Sequence, residues 1–214
     1  MKLRNRPLSP VQTIFVIVGV LALGIGAYEL YLVASRVLHR KAVRATIPKY
    51  LQGLRTHRDQ LSQAIERYHS QFGFYPPNHC TNQQNRAYVN TLFYELVGTR
   101  WDTNLHTFSL PTTKDPVEPE MIMRVFNMAS FSNTLTFPSW PTNFLGGLSI
   151  GGRDENGVTM VSSTFVEGID YEISDDFSTT PWRYAADPAE HNKGKFDLWI
   201  ELNVLDQHFV VRNW

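Results

Sequence analysis

An apolar segment near the N-terminus constrains this chain more than any other feature. Residues Ile14–Tyr28 carry no charge, and the apolar run extends from Val11 to Val33 with Glu29 as its only charged residue. As a helix, these 23 residues would measure about 35 Å, which exceeds the roughly 30 Å hydrocarbon core of a bilayer. Tyr28 and Tyr31 lie near the end of the run, where interfacial aromatic residues are expected.

Three interpretations compete for this segment. A cleaved signal peptide needs a shorter apolar core and small residues at a cut site, and no position after Gly26 fits well. A buried core helix is rarely apolar over such a length. The sequence therefore predicts one retained transmembrane helix over residues 11–35, after a short basic N-terminus over residues 1–10.

Small residues inside the predicted span bear on how it packs. Gly19, Gly24 and Gly26 would let a second helix approach closely. Ordinary transmembrane composition, in which glycine is common, explains them equally well. The residues expected to serve as anchor and packing surface are Ile14, Phe15, Gly19, Gly24, Gly26 and Glu29.

The charges divide the chain into two parts of opposite sign. Residues 1–60 hold ten basic and two acidic residues, a net charge of +8, and the other 154 residues carry −8. The balanced total of 20 basic and 20 acidic residues gives no indication of a nucleic-acid partner. Cys80 is the single cysteine, which excludes an intramolecular disulfide framework and a cysteine-rich zinc site.

A second helix is predicted over residues 36–73. Apolar residues recur at steps of three and four, with Arg58 in the one missing place, so one face should pack against the following domain's sheet. Pro48 should kink or interrupt the helix, and Gly73 followed by Pro76 and Pro77 should end it. A coiled coil is less favoured, because the repeat lasts only about three heptads. The apolar seam comprises Leu51, Leu54, Leu61, Ile65, Tyr68 and Phe72.

Residues 74–214 are predicted to form a globular α+β head. Asn156-Gly157 is a hairpin signal, and Phe196–Leu202 alternates between apolar and polar residues, as a half-buried strand does. The segments expected to form helices are Tyr88–Val97 and Glu118–Met128, and the expected strands are Val158–Phe165, Trp182–Ala185, Phe196–Leu202 and His208–Trp214. The predicted fold class is α+β: a long N-terminal helix packed on a C-terminal antiparallel meander.

Motifs that could carry chemistry are weak. Gly147–Gly151 matches the G-x-S-x-G nucleophile elbow around Ser149, but a glycine-rich loop follows where that motif needs a helix. The seven histidines show no metal-ligand spacing. Oxygen-bearing residues around 187–197 suit calcium in type, yet Lys193 and Lys195 interleave with them. No cofactor, metal, catalytic residue or small-molecule substrate is predicted.

Several segments, taken in order, resemble the type IV pilins and the type II secretion pseudopilins. The likeness covers the end of the helix at Leu61–Pro77, the short segment Asn90–Gly98, and Pro181–Leu202, which is similar to the family's strand–loop–strand pattern. The closing Val210–Trp214 is similar to a terminal strand of pseudopilin-like relatives. The family-like head residues are Tyr75, Pro76, Pro181, Trp182, Tyr184, Phe196, Asp197, Leu198, Trp199 and Trp214. Residues 99–180 carry no such likeness.

The chain departs from this family at the expected processing site. Pilins and pseudopilins have a glycine followed by Phe-Thr/Ser-Leu-x-Glu, where a prepilin peptidase cuts. Here Ser9–Phe15 stands at that place, with Phe15 in the position of the glutamate. Peptidase processing is therefore not expected. Glu29 lies too far along to replace the missing acid.

The resemblance implies a non-enzymatic structural component of a type II secretion or type IV pilus-like assembly. It implies a single-pass protein of the bacterial inner membrane with a periplasmic head, whose partners are the lipid bilayer and other pilin-like subunits or secretion-system proteins. One alternative is a membrane-tethered periplasmic binding or scaffold protein that keeps the fold without entering a filament. A more distant one is an anchored serine hydrolase using Ser149.

Overall fold

A computed structural model describes residues 10–78, 90–111, 116–146, 151–153, 159–162, 180–186 and 188–214. Side chains are described from Ile25 onward within those ranges, apart from those of residues 26 and 151–153. Contacts between Cα atoms divide the chain into two units, residues 1–46 and residues 47–214.

The first element is one long helix, α1, over Pro10–Phe72. It ends where the sequence predicts: Gly73 has a φ of 80°, and its N–H donates to the carbonyl of His69 at 2.8 Å. The predicted interruption at Pro48 is not observed, since α1 is helical on both sides of that residue. Proline removes one backbone hydrogen bond, but the helix continues through it, and its neighbours Ile47 and Tyr50 are buried.

The predicted transmembrane helix over residues 11–35 is contradicted. Across the described residues, no helix has both the length and the apolarity needed to cross a membrane. The segment is not an element of its own but the first part of α1, whose described side chains soon include Glu29, Arg36 and Arg40. The membrane-spanning part of the predicted fold class and the single-pass inner-membrane location are therefore wrong.

The unit of residues 47–214 has an α+β fold, as predicted. Helix α2 (Leu92–Val97) is short, and helix α3 (Pro119–Phe126) begins with a proline in its first turn, a position that needs no backbone N–H. After α1 come α2 (Leu92–Val97), β1 (Thr99–Asp102), β2 (Thr107–Ser109), α3 (Pro119–Phe126), β3 (Thr134–Thr136), β4 (Gly151–Arg153), β5 (Thr159–Val161), β6 (Arg183–Ala185), β7 (Asp197–Val204) and β8 (Gln207–Arg212).

The described strands form three small sheets. The C-terminal sheet, in the order β6-β7-β8, is antiparallel throughout, so the predicted meander is confirmed for its last three strands; the strand predicted at Val158–Phe165 belongs to another sheet, as β5. Strands β4 and β5 form an antiparallel pair, with one strand before and one after the Asn156-Gly157 signal. The sheet in the order β2-β1-β3 was not predicted, and its β1–β3 pair is parallel. Its strands have only three or four residues, which is too short for an alternation of apolar and polar residues to be recognised in the sequence.

The predicted seam of α1 is largely buried. Leu54, Leu61, Ile65 and Tyr68 are fully buried, while Leu51 and Phe72 are partly exposed. Burying four such side chains contributes about 2 kcal/mol each to the free energy of unfolding. This face therefore belongs to the core of the second unit.

A buried carboxylate, Glu95 of α2, links three parts of that core. Tyr68 of α1 donates its hydroxyl to Glu95 Oε2 at 2.8 Å. The backbone N–H groups of Ser132 and Asn133 donate to the two carboxylate oxygens at 2.8 and 3.0 Å. Burial and then the Glu95 charge raise the pKa of Tyr68. The hydroxyl therefore stays protonated, as a hydrogen-bond donor must.

Candidate interaction surfaces

The first described side chains of α1, from Ile25 onward, include many large apolar residues that are exposed. Seven of them between residues 25 and 38 are 47–72% exposed: Ile25, Tyr28, Leu30, Tyr31, Val33, Val37 and Leu38. We call this stretch the apolar helix segment. It lies in the unit of residues 1–46.

These side chains surround the helix axis instead of forming one stripe. Each helical residue is turned by about 100° from the one before it, so Tyr28 and Leu30 point to nearly opposite sides, as do Tyr31 and Val33. A helix that is apolar on all sides is normally covered on all sides. A shallow groove on one partner would leave half of this segment in water.

Exposed charges are interspersed with the segment and follow it. Glu29 is the one acidic residue among the described side chains of residues 25–46, and it forms no ion pair with another described group. Arg36, Arg40, Lys41 and Arg44 are exposed on the turns that follow. The acid thus precedes a basic stretch on the same helix.

The remaining predicted anchor residues cannot be placed by their contacts. Ile14, Phe15, Gly19, Gly24 and Gly26 belong to α1 by their backbone, but their surroundings lie outside the described set. Ser149, the predicted nucleophile of the hydrolase hypothesis, also lies outside the described residues.

The structure brings several of the family-like head residues together. Tyr184 of β6 donates its hydroxyl to the carbonyl of Pro76 at 2.9 Å. The ring of Tyr75 lies 5.4 Å from the ring of Phe196, and the Tyr184 ring lies 6.1 Å from it. Burial raises the pKa of Tyr184, with smaller effects from nearby groups such as Tyr68. The segment that follows α1 is thereby fixed to the C-terminal sheet.

The other family-like head residues are buried or contact other residues of the second unit. Trp182 is fully buried, and its carbonyl accepts from the Asn90 amide at 3.2 Å. Pro181 forms an isolated bridge with Ser162. Leu198 is buried in β7. Trp199 and Trp214 meet edge to face at 5.6 Å.

Asp197 closes the loop that precedes β7. Its side chain is only 2% exposed, and it accepts backbone N–H groups from Glu190, His191 and Asn192 at 2.8–2.9 Å. The His191 ring lies 3.3 Å from the same carboxylate and stacks on Trp214 at 4.2 Å. Burial alone would raise the pKa of Asp197, but the donated hydrogen bonds outweigh it and hold that pKa below its usual value.

These hydrogen bonds bear on the calcium hypothesis. Both oxygens of Asp197 already accept backbone N–H groups, which would compete with a cation for the same lone pairs. Among the described residues, no group of three or more His, Cys, Asp or Glu side chains is placed to hold a metal ion. Asp187 lies outside the described set.

A cleft of about 470 Å³ separates α1 from the C-terminal strand. Arg58 crosses it, donating to the carbonyl of Arg212 at 3.0 Å and pairing with Asp59 at 2.7 Å. Ser62 also lines the cleft, but its hydroxyl has no hydrogen-bond partner among the described residues. No base in the described part of the chain is therefore hydrogen-bonded to Ser62, as a nucleophilic serine requires.

Sequence reasoning missed two features of the second unit. Glu95 sits within the apolar run Leu92–Val97, and a lone acid in such a run was the available signal of a buried carboxylate. The second is an exposed cluster of Arg100, Phe137 and Trp140. Arg100 is far in sequence from Phe137 and Trp140, and no local pattern unites the three residues.

Comparison with known proteins found no matching family model, no matching curated protein and no matching solved structure.

Proposed function

We propose that this chain is a non-enzymatic, pseudopilin-like structural subunit that works by packing its long helix against the helices of like subunits. The assembly would be of the type II secretion or type IV pilus-like kind, which the sequence motifs resemble. An unbroken 63-residue helix whose C-terminal part is buried in an α+β unit is consistent with such a subunit.

The exposure of the apolar helix segment carries this proposal. Leu30 is 72% exposed and Tyr31 68% exposed, and covering such side chains contributes about 25 cal/mol for each Å² of apolar surface removed from water. Since the apolar residues surround the axis, a bundle of equivalent helices covers them better than a one-sided groove. A second copy of the chain supplies such a helix.

Charge favours an axial offset between neighbouring copies. Parallel helices without an offset would bring Arg36 beside Arg36 and Arg40 beside Arg40, which is repulsive. A shift of seven residues, about 10 Å along the axis, instead brings Glu29 of one copy beside Arg36 of the next. The only described acid of the segment then gains a partner.

One observation favours a second candidate function. The chain lacks the Gly-Phe junction at which pilins and pseudopilins are processed, and has Ser9–Phe15 there instead. A binding or scaffold protein with a pilin-like fold that does not enter a filament needs no such junction. That candidate would form only small, closed oligomers or none.

Sedimentation velocity of the purified full chain tests the first proposal. We expect the wild type to form oligomers that grow with concentration. The double variant Leu30→Glu/Leu38→Glu should sediment as a monomer with unchanged helix content, because each charge would have to be buried in the bundle.

The matched control is Leu105→Glu/Met123→Glu, which introduces the same charges at exposed apolar positions of the second unit. It should associate like the wild type. A wild type that stays monomeric at every concentration would contradict the proposal, and so would equal dissociation of both double variants. Small closed oligomers that do not grow would favour the second candidate.

A further inference from the structure

We propose that Arg100, Phe137 and Trp140 form a docking site for a partner-protein segment that places a Glu or Asp carboxylate beside an apolar side chain. We call these three residues the arginine clamp. This inference concerns a surface of the second unit and does not depend on the helix packing proposed above.

Two aromatic rings hold the arginine. The guanidinium carbon of Arg100 lies 3.9 Å from the ring centre of Trp140 and 4.9 Å from that of Phe137. Both distances fit a cation over an aromatic face. The guanidinium therefore has a fixed plane, and a partner need not order a flexible side chain when it binds.

The Asp102 carboxylate, two residues further along β1, interacts electrostatically with Arg100 from a distance. Arg100 forms no ion pair with any described carboxylate, and its Nε is buried with no hydrogen-bond partner among the described residues. A guanidinium offers five N–H donors in a planar fork that matches a carboxylate. The absence of a direct ion pair to Arg100 among the described residues points to an acidic ligand.

The surroundings of the clamp are apolar and exposed. Phe137 is 55% exposed, Trp140 45% and Leu135 46%. Strand register pairs Arg100 with Leu135, which places both on the same face of the sheet, whereas the neighbouring pair of Trp101 with Phe108 directs the buried Phe108 to the other face. The clamp therefore lies on the outer face, where a protein surface can reach it.

The segment that carries the two rings is held from several sides. Phe137 N–H donates to the Trp101 carbonyl at 3.0 Å, and the buried Asn133 amide donates to the Thr142 carbonyl at 2.8 Å. Gly98 lets the chain pass closely: a Cβ at that position would lie 2.5 Å from Cγ of Pro141, next to Trp140. A surface fixed before binding loses little entropy on association.

The residue types of the arginine clamp also indicate the kind of ligand. Tryptophan and arginine are enriched at the energetic centres of protein–protein interfaces. The outer face of a sheet fits a protein segment better than it fits an enclosed small molecule. An acidic side chain flanked by apolar ones would satisfy both the guanidinium and the rings.

A fluorine NMR titration tests the site with two matched peptides. The full chain is labelled with 5-fluorotryptophan, and the Trp140 resonance is assigned by its loss in Trp140→Phe. The probes are the peptides acetyl-Gly-Phe-Glu-Phe-Gly-amide and acetyl-Gly-Phe-Gln-Phe-Gly-amide. The Glu peptide should shift the Trp140 resonance saturably and bind about tenfold more tightly than the Gln peptide, because the charge-assisted pair is lost in the latter.

Two variants complete the test. Arg100→Gln should weaken binding of the Glu peptide about tenfold, with the resonances of the distant Trp182, Trp199 and Trp214 unmoved as proof of folding. Arg212→Gln is the matched control, since Arg212 lies 5.6 Å from the ring of Trp214 and is the other arginine over a tryptophan; it should leave binding unchanged.

Three results would overturn the inference: no shift at millimolar Glu peptide, equal affinity for the two peptides, or equal weakening by Arg100→Gln and Arg212→Gln. A Trp140 resonance that shifts with protein concentration in the absence of peptide would also overturn it, because the site would then be a contact between copies of this chain.

Discussion

At the scale of single residues, Asp197 shows how one carboxylate can organise a loop. Three consecutive backbone N–H groups, from Glu190 to Asn192, point at it. Without it these donors would be left without partners beside a buried strand. Sequence reasoning placed Asp197 in a family-like motif and in a candidate calcium loop. Its observed partners are the loop's own backbone.

The first prediction concerns Asp197→Asn. The amide keeps one acceptor oxygen but loses the charge, so we expect the free energy of unfolding to fall by about 2 kcal/mol. Urea denaturation measures the change. Asp206→Asn, an exposed carboxylate in the turn between β7 and β8, is the control and should change stability by less than about 0.5 kcal/mol. Equal effects of the two variants would contradict the role of Asp197.

The same carboxylate predicts a pH dependence. The native pKa of Asp197 is lowered relative to about 3.9 in an unfolded chain. The native state therefore binds fewer protons, and the contribution of Asp197 is present above about pH 4 and lost as the pH falls through the native pKa. The stability difference between wild type and Asp197→Asn should shrink at acid pH. A constant difference would contradict this account.

Glu95 shows why the hydrogen-bond partners of a buried carboxylate cannot be predicted from the sequence. Its partners Tyr68, Ser132 and Asn133 are 27, 37 and 38 residues away. The spacing within the helix predicts which side chains are buried, but not which distant donors meet them. The arginine clamp could not be predicted for the same reason, because Arg100 is distant in sequence from its two aromatic partners.

At the scale of elements, α1 combines two environments in one helix. Its later part presents one buried face, with Leu54 and Leu61 fully covered, whereas the apolar helix segment is exposed around its circumference. The same residue types therefore stabilise the fold in one part and, by our proposal, stabilise an assembly in the other.

The second prediction separates these two roles with one substitution on one helix. Leu54→Ala should lower the free energy of unfolding by about 3 kcal/mol, because it removes buried methyl groups and leaves a cavity. Leu38→Ala, at a position 66% exposed, should change it by less than about 0.5 kcal/mol. Chemical denaturation of the monomeric chain measures both. Comparable losses would show that Leu38 is covered within the monomer.

Elements with long local patterns were predictable, and those without were not. The end of α1 followed from Gly73 and the prolines after it, and the β7–β8 hairpin followed from alternation around Phe196–Leu202. The parallel pairing of β1 with β3 depends on contacts between three-residue stretches separated by α3. The continuity of α1 through Pro48 runs against the local preference of proline, and sequence spacing does not reveal it.

At the scale of the whole molecule, the uneven distribution of charge has to be reconciled with the apolar helix. Residues 1–60 carry a net charge of +8 and the remainder −8. The transmembrane explanation of the basic, apolar stretch is contradicted. In the proposed assembly, helices of neighbouring copies cover each other's apolar side chains instead. Glu29 of one copy then pairs with a basic residue of the next.

Photo-cross-linking in the cells that make this protein tests that claim most directly. Benzoylphenylalanine replaces Tyr31 in the apolar helix segment and, as a control, the exposed Phe74 beyond the end of α1; mass spectrometry identifies the linked residues. The account predicts adducts from position 31 to the long helix of a second copy or of another pilin-like subunit, and no such adducts from position 74. The account would be contradicted by an absence of helix-to-helix adducts at position 31, or by the same adducts from both positions.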